Sequence, residues 1–170
     1  METTQEIVKA VQAAGVTGAG GAGFPTYVKL QAKAEVVIAN GAECEPLTHV
    51  DKQLMLHHAP EVIAGLRAAM HSTGAARGIL GVKGKYKEVI AVLRAALGSA
   101  TDITIAELGN FYPAGDEQVL VYDVLGRVVP EGGLPINVGC VVQNIETLYN
   151  IDAALHGRPV TEKFITVIGA

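Results

Sequence analysis

A chain of 170 residues, 49% of them apolar, is long enough to bury the core of one globular domain. Its 17 acids outnumber its 13 bases and leave a net charge of −4 with no basic cluster, which sets aside a nucleic-acid partner. Two cysteines, Cys44 and Cys140, are too few to ligate an iron–sulfur cluster or to build a disulfide framework, and both read as inert thiols.

The first residues carry no basic stretch followed by an apolar one, and no apolar run reaches the roughly 18 residues of a membrane helix. The expectation is a cytoplasmic protein without direct membrane insertion. Thr3 and Glu6 stand at capping-box spacing, and Ile7, Val8, Val11 and Ala14 follow at helical intervals, so a helix is expected over 4–14, stopped by Gly15. Next comes Gly18-Ala19-Gly20-Gly21-Ala22-Gly23-Phe24-Pro25, a backbone-exposing loop, then a short helix through Tyr27, Lys29 and Leu30.

A buried strand is expected over 35–39, ending at Asn40-Gly41 and a loop with Glu43, Glu45 and Pro46. Helical spacing returns over 51–73 with a break near Pro60. A strand over 77–83, a helix over 85–97 and a strand over 102–107 follow. A further helix begins at Asp116 and runs to Gly126, the stretch 126–139 is loop, and Val138–Val142 is a strand. Asn144 caps a helix to about His156, and Phe164–Ile168 has the character of a last strand. This alternation predicts an α/β, Rossmann-like layered domain over 1–170, with a mainly parallel sheet flanked by helices and a glycine-rich loop near the N-terminus.

Residues 18–23 match G-x-G-x-x-G, and Glu43 follows about 20 residues later, where a ribose-binding acid is expected. That fingerprint should directly follow a strand, yet a helix precedes it here, which disfavours an ordinary Rossmann first turn. Residues without Cβ still let backbone N–H groups approach a phosphate or a flat ring, and Lys29 adds a point charge. The competing reading is a loop that merely permits close helix packing.

Three more polar clusters stand at expected strand ends: Asn40 to Pro46, Tyr112 to Glu117, and Gln143 to Thr147. In an open α/β sheet the ligand crevice lies at the carboxyl ends of the strands, so all three can converge on one ligand. Asn and Gln both donate and accept, as the pyrimidine edge of a flavin requires. Plain capping is the alternative for Asn144 and Asp116. The adjacent His57 and His58 diverge on a helix and do not form a metal pair. No nucleophile elbow marks a hydrolase, and no G-K-[ST] marks a P-loop.

The four motifs, in this order and spacing, resemble the 51-kDa flavoprotein family of respiratory complex I. The phrases Gly109 to Gln118 and Val129 to Pro135, with Ala19 and Ala42 where complex I has an arginine and an aspartate, resemble its branch of Rnf electron-transport C subunits and propanediol-utilisation cobalamin reductases. The resemblance implies an FMN cofactor held by Gly18, Gly20, Gly21, Lys29, Asn40, Glu43, Tyr112, Gly115, Asp116, Glu117, Val142, Gln143, Asn144 and Thr147. It places Phe24, Glu45 and Glu117 against NADH as substrate.

It further implies hydride transfer from NADH to FMN, with electrons passing to iron–sulfur centres in regions absent from this chain. Longer relatives continue with a β-grasp-like domain and a cysteine-bearing ferredoxin-like segment, so the chain reads as part of a longer flavo-iron–sulfur protein. The expected final partners are a ferredoxin, Rnf membrane subunits or a corrinoid protein. Membrane association through a complex and placement in a bacterial microcompartment both fit that branch. Two alternatives stand: a docking scaffold that has lost flavin binding, and a flavin-free NAD(P) dehydrogenase, which needs a strand directly before Gly18.

Overall fold

The computed structural model describes residues 3–45 and 47–169; Met1, Glu2, Ala170 and the loop residue Pro46 lie outside the described residues. Helix α1 (Thr4–Ala13) starts at the expected capping box. The Glu6 N–H donates to Thr3 Oγ1 at 3.3 Å, and the Thr3 N–H donates to Glu6 Oε2 at 2.7 Å. Its buried stripe is Ile7, Val8 and Val11. The glycine loop leads to the short α2 (Thr26–Leu30) and then to β1 (Val36–Gly41).

The helical stretch expected over 51–73 with a break near Pro60 is two helices, α3 (Val50–His57) and α4 (Ala59–Thr73). The break falls at His58, because Pro60 sits in the first turn of α4, where a missing N–H costs nothing. β2 (Arg77–Lys83), α5 (Lys87–Leu97), β3 (Ile103–Leu108) and α6 (Glu117–Leu125) follow within two residues of expectation. β4 (Cys140–Asn144) begins two residues late, since Val138 is drawn into a 3-10 turn (Pro135–Val138). Asn137 Oδ1 closes that turn by accepting from the Leu134 N–H at 2.8 Å. Helix α7 (Ile145–Leu155) completes the regular structure.

The four strands form one all-parallel sheet in the order β3-β2-β1-β4. Alternate side chains serve two cores. Val37, Ala39, Leu80, Val82 and Ile103 face the larger cluster with α1 to α5 and α7, while Val36, Ile38, Ile79, Cys140 and Val142 meet Leu120 and Val121 of α6. Helices α4 and α7 pack at their closest beside Gly65, where any Cβ would stand 1.9 Å from the Leu148 carbonyl oxygen. Only glycine permits that approach.

The expected strand at Phe164–Ile168 does not form. An apolar run becomes a strand only beside a free edge, and this one runs past helix ends instead. The Phe164 N–H donates to Glu146 Oε1 at 3.4 Å, and the His49 N–H donates to Thr166 Oγ1 at 3.1 Å. Phe164 packs edge-on against Tyr149, whereas Ile165, Val167 and Ile168 stay exposed. Among the described residues no helix is long and apolar enough to cross a membrane.

Candidate functional site

The chain runs outward from β1 to β2 and β3 and then returns to the other side of β1 with β4. That reversal opens a crevice at the carboxyl ends of β1 and β4, the place where open α/β sheets bind ligands. Asn40 and Asn144 are register partners at its base. Helix α1, not a strand, precedes the glycine loop, and residues 17 and 25 close it with an isolated bridge. The flavin-free dehydrogenase reading required a strand there and is corrected by this order of elements.

The glycine loop lies over the crevice. The Ala19 N–H donates to Thr147 Oγ1 at 2.9 Å, tying the loop to the first turn of α7. Gly21 adopts φ +116°, a conformation that side chains rarely permit.

Two adjoining cavities result, sharing Gly20, Asn40, Gly115, Asp116 and Asn144. The smaller, about 340 Å³, adds Gly18, Phe24, Lys29, Glu117, Val142, Gln143 and Thr147. The larger, about 510 Å³, adds Gly21, Glu43, Glu45 and Tyr112. Every site residue expected from the sequence therefore lines one cavity or both, whatever it contacts there.

In the smaller cavity the Lys29 ammonium donates to the Val142 carbonyl at 3.0 Å and pairs with Glu117 at 3.3 Å. It also stands 5.9 Å from the centre of the Phe24 ring. Gln143 is only 3% exposed, and its Nε2 has no partner among the described residues. A buried amide donor left unpaired costs about 1–3 kcal/mol, so it marks a place where a ligand acceptor would be welcome.

Capping, weighed from the sequence as the plain alternative, is real at several positions. Asp116 Oδ1 accepts from the Gln118 and Val119 N–H groups, and Asn144 Oδ1 accepts from Glu146 and Thr147. Glu43 caps α3 through the Asp51 and Lys52 N–H groups at 3.2 and 3.4 Å. Asn40 Nδ2 donates to the Gly115 carbonyl at 2.8 Å and its Oδ1 accepts from Ala42, so this side chain locks two loops together. These residues shape the walls; the amide of Gln143 is the donor left over.

Four titratable residues of the larger cavity carry no assigned site role in the sequence reading: Cys44, Asp51, Glu146 and Lys163. Cys44 is not an idle buried thiol, for its Sγ accepts from the Gly115 N–H at 2.8 Å and holds the 112–117 loop down. Cys140 fits the inert reading, with burial pushing its thiol up to about 11. Asp51 Oδ2 accepts from Asn144 Nδ2 at 2.8 Å. Burial, then the neighbouring Glu43 charge, raises the Asp51 carboxyl to about 7. Glu146, 3% exposed, is paired by Lys163. Nothing in the sequence singles Asp51 out; its contact with Asn144 in the fold does.

The two alanine departures also acquire a physical account. Ala42 is fully buried in the α6-side core, where a carboxylate would lose its water. Ala19 contributes its backbone N–H, which any residue but proline supplies.

Sequence and structure comparisons agree with this geometry. The chain is 46% identical over 167 residues to the cobalamin reductase PduS of Citrobacter freundii and 45% identical over 169 residues to that of Salmonella typhimurium. These matches take in 98% and 99% of the chain but 37% of each relative, so the chain spans little more than a third of their length. Crystal structures of an NAD+-reducing [NiFe]-hydrogenase superpose with a TM-score of 0.77 at 31% identity in the air-oxidized state and 0.75 at 29% in the H2-reduced state. In both, 90% of this chain is covered, against 30% and 31% of the hydrogenase chain. The profile of the complex I 51-kDa family, described as the Nuo51 FMN-binding domain, matches residues 11–153. With a match across most of its length and all four loops gathered at the β1/β4 crevice, the chain belongs to the Nuo51 FMN-binding domain family.

Proposed function

We propose that the two cavities together hold one FMN and one nicotinamide nucleotide, and that the chain is the hydride-accepting part of an NADH-dependent flavin oxidoreductase. The observation that carries this is the buried, unpartnered Gln143 amide on the wall of a crevice lined by the four ordered loops. The donor set fits the cofactor. Gln143 offers an amide to an acceptor edge, Lys29 offers a cation to a phosphate, and the glycine loop lets a flat ring approach the backbone.

FMN, when bound, supplies the chemistry of taking a hydride and releasing electrons singly. The chain's own residues position and exclude. Asn40 and Cys44 fix the 112–117 loop through Gly115, Thr147 fixes the glycine loop through Ala19, and Phe24 and Glu45 border the openings. No side chain need form a bond to substrate.

The cobalamin reductase relatives support a corrinoid protein as the final electron acceptor. A ferredoxin or Rnf membrane subunits serve the same chemistry, with iron–sulfur centres outside this chain as the relay. A cytoplasmic or microcompartment setting belongs to the same proposal. The test is anaerobic addition of NADH to the FMN-loaded chain, followed by flavin absorbance. Bleaching of the visible band is expected; a loaded flavin that dithionite reduces and NADH does not would contradict the hydride step.

A further inference from the structure

The larger cavity contains a carboxyl group that the flavin reading leaves without a task. Asp51 stands near the start of α3, which packs on α4, α5, α7 and β1. The charged groups that bear on it come from three other segments: Glu43 from the loop after β1, Glu146 from α7, and Lys163 from the C-terminal stretch. Lys163 is already engaged by Glu146, and Lys83 at the end of β2 donates to the Glu43 backbone carbonyl at 3.2 Å. Asp51 takes part in none of the ion pairs formed among the described residues.

This arrangement disfavours a carboxylate. The Asn144 amide donates to Oδ2 at 2.8 Å and favours the charged form, but burial and the Glu43 carboxylate, which accepts from the Asp51 backbone N–H at 3.2 Å, outweigh it. A second negative charge beside Glu43 in a partly buried wall is penalised both by desolvation and by repulsion. The neutral acid escapes both penalties and gains something the carboxylate lacks, an O–H donor on Oδ1. An acid kept neutral in this way can donate a hydrogen bond at neutral pH.

We propose that Asp51 is a ligand-recognition residue of the larger cavity that works as a neutral acid, donating from Oδ1 to an electron-rich oxygen of the bound ligand. Ligand and proton are therefore taken up together. The ligand class is a molecule presenting a carbonyl or phosphate oxygen, and this rests on the flavin reading for its identity. The direction of the carboxyl's shift, upward to about 7, agrees with the geometry.

The test has two parts. In the ligand-free chain labelled with 13C-carboxyl aspartate, the resonance that Asp51→Asn removes is expected to titrate near 7; a midpoint near the ordinary value of about 4 overturns the proposal. FMN affinity is then measured from pH 5.5 to 8.5 for wild type, Asp51→Asn and Asp51→Leu. The ratio of wild type to Asp51→Asn cancels the titration of the FMN phosphate itself.

Above pH 7 that ratio is expected to fall by up to about tenfold per pH unit, one proton per ligand. Asp51→Leu, which has no donor, should bind about tenfold more weakly than Asp51→Asn at every pH. A pH-independent ratio, or equal binding by Asn and Leu variants, overturns the proposal. A chain that takes up no FMN at any pH contradicts the flavin reading, and the carboxyl titration, which needs no flavin, then decides this proposal alone.

Discussion

The two halves of the crevice differ in how their charges are spent. Lys29 of the smaller cavity is paired with Glu117 and joined by an unspent Gln143 donor, and Asp116 lies on both walls, whereas the larger cavity has Glu43, Glu45, Asp51 and Glu146 against Lys163 alone. An anionic phosphate belongs with the first. The second tolerates its acids because Glu43 is spent on the N-terminus of α3, Glu146 is paired, and Asp51 is held toward its neutral form. Counting acids along a cavity wall therefore misjudges it; what matters is which of them still project a charge.

The sharpest way to break this contrast is Gln143→Leu. It should lower FMN affinity about 10- to 100-fold, the cost of about 1–3 kcal/mol for one lost buried hydrogen bond. It should also raise the melting temperature of the flavin-free chain, because the buried unpaired donor is gone. Calorimetry and a flavin titration on the same sample read both, and a stability loss paired with unchanged affinity would show that Gln143 is merely structural.

Lys29→Gln comes next. FMN affinity should drop about tenfold while riboflavin affinity holds, since only FMN carries the phosphate that a cation would attract. Equal losses for the two flavins would put the lysine's work in its bond to the Val142 carbonyl and not in charge.

Asp51→Asn probes the larger cavity through stability. A carboxyl raised on folding makes a contribution that is fully present below its unfolded value near 4 and is lost as pH rises through about 7. The variant, neutral at every pH, should accordingly gain on wild type from pH 4 to 7 and hold a plateau above, about 3–5 kcal/mol at pH 8. Urea melts at pH 5 and 8 would show it, and an equal gap at both would contradict the shifted carboxyl. The smallest effect is expected at Glu45→Gln. Exposed and bordering only the larger cavity, it should change the KM for NADH a few-fold and leave FMN affinity alone.

Much of this was legible beforehand for a physical reason. Capping boxes, helical spacing and glycine runs are local, so α1, the glycine loop, α6 and α7 appear within a residue or two of expectation. The four motifs also gather as the strand-end argument required. What failed was for the most part not local. Phe164–Ile168 has strand composition but is held at the starts of α3 and α7 by His49 and Glu146 and not at a sheet edge, whereas the start of β4 was displaced by a local 3-10 turn that Asn137 closes. Asp51 and Cys44 were invisible as site residues because their partners, Asn144 and Gly115, lie 93 and 71 positions away. Spacing along a chain cannot announce such pairs.

The most direct test of the central claim is an equilibrium titration of the purified chain with FMN, read by flavin fluorescence. If the crevice holds one FMN, binding will saturate at one FMN per chain with a dissociation constant of about micromolar or tighter, worth about −8 kcal/mol. No saturation up to about millimolar FMN, a binding energy of only about −4 kcal/mol, would contradict it and leave the domain as a docking scaffold.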